Sequence, residues 1–83
     1  MARVTIYTTG VCPYCVRAKR LLGELVIAYE EIDVGRDEAR RAEMVSRTGG
    51  RMSVPQIFID GEHVGGYDEL RALAERGGLA SLA

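Results

Sequence analysis

The stretch Thr8-Thr9-Gly10-Val11-Cys12-Pro13-Tyr14-Cys15 joins two different periodicities. Upstream, Val4, Ile6 and Thr8 alternate with Arg3, Thr5 and Tyr7 in a run rich in β-branched and aromatic residues, the pattern of a strand. Downstream, Cys15, Ala18, Leu22 and Leu25 recur at helical spacing, while Arg17, Lys19, Arg20 and Glu24 fall on the other side. The pattern predicts a helix from Pro13 to about Gly23. Thr9-Gly10-Val11 makes the turn, and the fixed φ of Pro13 suits the first helical position. A cysteine pair therefore sits where a strand hands over to a helix.

Further along, a second strand is predicted over Ile27 to Ile32, and Asp33-Val34-Gly35 breaks it. Asp37 and Glu38 then open a second helix that ends near Thr48, with a weak apolar face of Ala39, Ala42, Met44 and Val45. Val54-Pro55 leads into a third strand, Gln56 to Ile59. Asp60-Gly61 is a two-residue hairpin signal, and His63-Val64 supplies the return strand. After Gly65-Gly66, Asp68 and Glu69 open a third helix with Leu70, Leu73 and Ala74 on its inner side, and Gly77-Gly78 ends it. The order β-α-β-α-β-β-α implies a parallel pair with a crossover helix plus an antiparallel hairpin in one mixed sheet. Helices one and three are expected on one face and helix two on the other.

The chain has 83 residues, 47% hydrophobic and 28% charged, with 11 Lys and Arg against 12 Asp and Glu. Length alone allows one domain with a modest core. A net charge of -1 lacks the positive field that phosphate backbones demand, which argues against nucleic acid as a partner. The longest apolar stretch, Leu25 to Tyr29, falls far short of the ~20 residues that span a bilayer. The alternating N-terminus is unlike a signal peptide, so a soluble cytoplasmic protein is expected.

Cys12 and Cys15 are the only two cysteines. A bridge between them would close a tiny loop and add little stability. Such a pair in a reducing compartment is a metal half-site or a redox couple. Beyond it the chain offers a zinc ion only His63 and carboxylates, so no metal site is expected. As a redox couple the two thiols are unequal. Cys12 lies at the helix N-terminus, where free N–H groups and the helix dipole favour an anion, and only the thiolate attacks. Cys15, one turn further in, is expected to be buried and to resolve the mixed disulfide.

Tyr7-Thr8, Cys12-Pro13-Tyr14-Cys15, Ala18-Lys19 with Leu21-Leu22, Ser53-Val54-Pro55-Gln56-Ile57-Phe58-Ile59 and Gly65-Gly66-Tyr67-Asp68-Glu69-Leu70 together resemble the dithiol glutaredoxins, nearest the bacterial glutaredoxin 3 type, across essentially the whole chain. The resemblance implies an α/β thioredoxin fold, a four-stranded mixed sheet flanked by three helices, with residues 1–83 forming one glutaredoxin domain. It implies a glutathione-dependent oxidoreductase that reduces protein disulfides and glutathione mixed disulfides. Glutathione is then a co-substrate, with no tightly bound cofactor. The expected partners are glutathione and disulfide-bonded or glutathionylated proteins, met by a monomer without nucleic acid or membrane.

By the same resemblance Cys12 attacks, and Cys15 is needed for protein disulfides but dispensable for removing glutathione. Pro55 is expected to be cis beside the cysteines, leaving the Val54 backbone to pair with the cysteinyl part of glutathione as an added strand would. Gly66 and Asp68, at a helix N-terminus, suit the γ-glutamyl carboxylate, although Asp68 also reads as an ordinary helix cap. Glu69 is a candidate for the ligand's amino group, Tyr14 for shielding one side of it, and Arg41 for its glycyl carboxylate. Lys19 is a weak candidate for tuning Cys12, and His63 reads as an exposed strand residue. Tyr67 stands where close relatives commonly carry a cysteine. Thr9 stands where many glutaredoxins have a lysine, which leaves room for a redoxin reduced by thioredoxin reductase. A separate alternative is a glutathione-assisted [2Fe–2S] dimer, as some glutaredoxins form, although Pro13 and Tyr14 resemble the catalytic dithiol type.

Overall fold

The alternating run at the N-terminus forms β1, Val4–Thr8, in a computed structural model that describes residues 2–82. It is a central strand. On one side it pairs in parallel with β2, Tyr29–Asp33, with Val4 opposite Tyr29 and Thr8 opposite Asp33. On the other it pairs antiparallel with β3, Gln56–Ile59, which in turn pairs antiparallel with β4, Glu62–Gly65. The sheet order β2-β1-β3-β4 is the predicted mixed sheet.

Three helices cover it. α1, Pro13–Glu24, and α3, Tyr67–Glu75, lie on one face, where Ala18, Leu22 and Leu70 pack with Val4, Ile6 and Ile57. α2, Glu38–Arg47, covers the other face, where Met44 meets Tyr7, Val34 and Phe58. This two-sided cover explains why β1 buries Tyr7 as well as Val4, Ile6 and Thr8. The Tyr7 hydroxyl donates to Glu43 and accepts from Arg47, tying α2 to the sheet. A short 3-10 turn, Ala80–Leu82, follows α3.

Some local expectations shift. Leu25 is 38% exposed, because α1 ends at Glu24 and Leu25 forms its C-cap. β2 begins at Tyr29 rather than Ile27, since Val26 adopts φ +57 to leave the helix, and Ile27 is buried in the connection. On α2 only Met44 is fully buried, while Ala39 and Ala42 are exposed. Asp60 and Gly61 both take positive φ, the twist that a two-residue hairpin needs. Gly65, at φ +128, leaves space that Glu69 fills: a Cβ there would stand 2.5 Å from Glu69 Oε1. Asp68 is not the cap of α3. Gly66 holds that position, and Asp68 sits in the first turn.

The contrast between Leu22 and Leu25 is measurable. Leu22→Ala should cost about 2–5 kcal/mol in urea denaturation, the usual loss for a filled core site. Leu25→Ala should cost under about 1 kcal/mol, and equal losses would contradict the helix end described here.

Candidate active site

β1 points its C-terminal end at the loop that carries Cys12. Cys12 has extended backbone angles and is the N-cap of α1, with Pro13 as the first helical residue. Its Sγ accepts the Cys15 N–H at 3.1 Å, and its carbonyl accepts the Val16 N–H. A sulfur that caps a helix is held against unpaired N–H groups and the positive end of the dipole. As a thiol, Cys12 also donates to the Val54 carbonyl at 3.7 Å.

Cys15 lies one turn deeper and is 1% exposed. Burial pushes its thiol up to about 12, and the adjacent Cys12 sulfur adds to this, while a backbone contact at Thr9 and the charge of Lys19 pull the other way. Both cysteines are free thiols. The pair is thus asymmetric, one sulfur partly exposed at a helix start and the other shielded behind it. The charge of Lys19 bears on Cys15, and its ammonium is fixed 3.0 Å from Glu31, which also accepts from Thr8.

The Val54-Pro55 bond is cis, as expected. Tyr14, Val54, Pro55, Gly66, Asp68 and Glu69 all line one cavity of about 300 Å3 that reaches the partner carbonyl of Cys12. Arg41, on α2, is not among its walls. The cation that does line it is Arg51, accompanied by Ser53 and Tyr67. Sequence spacing gave no sign of Arg51, which lies on an irregular approach to Val54; its only signal was a cation three residues before the Val-Pro pair.

Glu69 is already engaged. Its Oε1 accepts the Gly66 N–H at 2.8 Å and lies 3.8 Å from Arg51. At the start of α3, the first helical amides, Tyr67 and Asp68, precede any intrahelical partner and stay available to an anion. Tyr14 is 52% exposed yet not isolated: its ring stands 6.2 Å from that of Tyr67, and the Arg17 guanidinium lies 5.1 Å from its centre. His63 also has a partner that the sequence did not reveal, the Gln56 amide at 2.7 Å.

A second hollow, of about 600 Å3, touches the same loop at Gly10 and Val11 and is bounded by Asp33, Gly35, Arg36 and Asp37. None of the candidate residues lines it, and its two carboxylates suit an anionic ligand poorly. Among the described residues there is no cluster of three or more His, Cys, Asp or Glu arranged for a metal ion. No helix among them is long and apolar enough to cross a membrane.

The glutaredoxin family profile matches residues 4–64. Glutaredoxin 3 of Escherichia coli strain K12 is 51% identical over 82 residues, covering 99% of this chain and 98% of its own length. The solution structure of glutaredoxin from Brucella melitensis superposes with a TM-score of 0.82 at 50% identity, over 99% of this chain and 88% of that one. The crystal structure of a buckwheat glutaredoxin–glutathione complex superposes with a TM-score of 0.86 at 28% identity, over 98% and 76%. A helix-capping Cys12 backed by a buried Cys15 on a thioredoxin fold, together with these matches, establishes that the chain belongs to the glutaredoxin family of glutathione-dependent thiol-disulfide oxidoreductases.

Proposed function

We propose that the cavity beside Cys12 binds glutathione, and that residues 1–83 act as one domain reducing glutathionylated and disulfide-bonded proteins. The observation that carries this reading is the position of the Cys12 sulfur: it caps α1 and also reaches the carbonyl of Val54, a residue of the cavity that Tyr14, Pro55, Gly66, Asp68 and Glu69 line with it. The glutathione complex of the buckwheat relative supports the same ligand here.

The chemistry follows from the two thiols. The Cys12 thiolate attacks one sulfur of a disulfide, the S–S bond breaks, and the departing thiolate takes up a proton. With a protein disulfide, Cys15 then gives up its proton and attacks the Cys12 sulfur as a thiolate, and the expelled second substrate thiolate takes up a proton. The resulting Cys12–Cys15 disulfide is reduced by two glutathione molecules, which become glutathione disulfide. With a glutathione mixed disulfide, the glutathionyl group is carried on Cys12 and a second glutathione removes it, so Cys15 is not required.

The Val54 backbone pairs with the cysteinyl part of the ligand beside Pro55, and Tyr14 and Tyr67 shield one side. The γ-glutamyl carboxylate is received by the amides at the start of α3, near Gly66 and Asp68, and Glu69 faces its ammonium group. For the glycyl carboxylate Arg51 is the cation on the cavity wall, and Arg41 acts from further away on α2. The protein is proposed to act as a monomer. A dithiol that must be kept reduced suits a reducing compartment, and the cytoplasm is the location proposed.

In an assay coupled to glutathione reductase and NADPH, the protein should reduce a glutathionylated peptide, and Cys12→Ser should lower turnover at least ~100-fold because no other nucleophile replaces it. Cys15→Ser should keep that activity and lose reduction of a protein disulfide. Turnover only with thioredoxin reductase in place of glutathione reductase would reject glutathione as the donor. In the same assay Arg51→Ala should raise KM about tenfold to a hundredfold, the usual weight of one charge-assisted hydrogen bond, and exceed the effect of Arg41→Ala.

Stability should also report Cys15. In the fold its thiol holds its proton up to about 12, against an ordinary value of 9.0. That contribution is complete below pH 9 and is lost as pH rises towards 12. Between pH 9.5 and 10.5 the unfolding free energy of the wild type should fall about 1 kcal/mol more than that of Cys15→Ser. Parallel curves would show that Cys15 ionises as freely in the fold as outside it.

A further inference from the structure

His63 and Gln56 take part in none of the steps above, yet their hydrogen bonds lead to Ser53 on the cavity wall. Gln56 is fully buried in the central part of the sheet, and its Nε2 donates to the Ser53 carbonyl at 3.0 Å and to the Ser53 hydroxyl at 3.2 Å. A carbonyl oxygen can only accept, so the amide is locked with Nε2 towards Ser53 and Oε1 towards His63. The His63 Nε2, 2.7 Å from that Oε1, must then be the protonated nitrogen. The imidazole is itself held, stacked 5.0 Å from Phe58. Burial and the charge of Arg51 keep His63 below its usual range, with Glu69 opposing, so the neutral ring with its proton on Nε2 is the form present at neutral pH.

The far end of this chain is the Ser53–Val54 peptide, and both of its residues line the cavity. In a trans peptide the C=O and the following N–H point in opposite directions. Fixing the Ser53 carbonyl on Gln56 therefore turns the Val54 N–H away from Gln56. Among the described residues that N–H has no hydrogen-bond acceptor, and it is the donor that an extended thiol ligand would meet.

We propose that His63 and Gln56 are positioning residues for substrate recognition: a chain from imidazole to buried amide to the Ser53 carbonyl aims the Val54 N–H at the ligand. The chain acts on binding and not on the sulfur chemistry, because neither His63, Gln56 nor Ser53 contacts Cys12. This rests on the assignment of the cavity to glutathione. Wild-type turnover that does not saturate with a glutathionylated peptide would undo that assignment, whereas the variants below address the positioning chain.

His63→Phe keeps the stack on Phe58 and removes the donor. It should raise KM for a glutathionylated peptide about threefold to tenfold, the effect of one neutral hydrogen bond, with kcat changed less than about twofold. His63→Gln, whose amide can donate to Gln56, should restore most of the loss. An unchanged KM, a fall confined to kcat, or failure of His63→Gln to rescue would each overturn the proposal. A measurement on the wild type makes the result independent of how the variants fold. Nitrogen-15 NMR near pH 7.5 should show His63 protonated on Nε2, with that proton exchanging slowly with water. A ring protonated on Nδ1, or a rapidly exchanging Nε2 proton, would refute it.

Discussion

A single hydrogen bond, from the Cys15 N–H to the Cys12 sulfur, organises the working end of this molecule. Helices usually take an oxygen at the N-cap. Here a sulfur takes that place, so the reacting atom is also the atom that starts α1. Its position is inherited from the sheet: β1 delivers the loop, Pro13 fixes the first helical φ, and the burial of Ala18 and Leu22 anchors the helix to the core. The same geometry separates the two thiols. One turn of helix takes Cys15 from the surface into an environment that opposes its charge, and so assigns attack to one sulfur and resolution to the other.

The second requirement is a wall beside that sulfur. It comes from two segments distant in sequence, the approach to β3 and the start of α3, which meet because β3 and β4 form a hairpin with α3 directly after it. Gly65 is what lets them close up: its missing side chain leaves room for Glu69 to fold back onto the Gly66 N–H. The wall offers backbone donors and acceptors and one arginine rather than a deep apolar pocket, which fits recognition of a small zwitterionic peptide.

Much of this was legible in the sequence, and the reason is local. The period-2 run into a turn and Pro13, the Asp60-Gly61 hairpin and the glycines around α3 carry short-range signals, so element order, sheet composition and the face each helix covers could be derived. Cys12, Cys15, Val54, Gly66 and Asp68 could be singled out as candidates because each has a distinctive neighbour. What escaped was long-range or lay at element ends. Leu25 fits the helical stripe but follows the last turn, and Ile27 looks like a strand residue but packs before the strand begins. Arg51 comes to the cavity only through the path of an irregular loop, and the pairing of His63 with Gln56 requires the hairpin register, which places the two residues seven apart in sequence on adjacent strands. Arg41 was named from a register inferred from relatives, and it stands on α2 outside the cavity lining.

The central claim is that glutathione joined to Cys12 lies along Val54 and the start of α3. A crystal structure of Cys15→Ser trapped as its glutathione mixed disulfide tests it most directly. The cysteinyl residue should pair through its backbone with Val54, and the γ-glutamyl carboxylate should lie at the first amides of α3. A glutathionyl group turned instead into the hollow bounded by Asp33, Arg36 and Asp37 would contradict it.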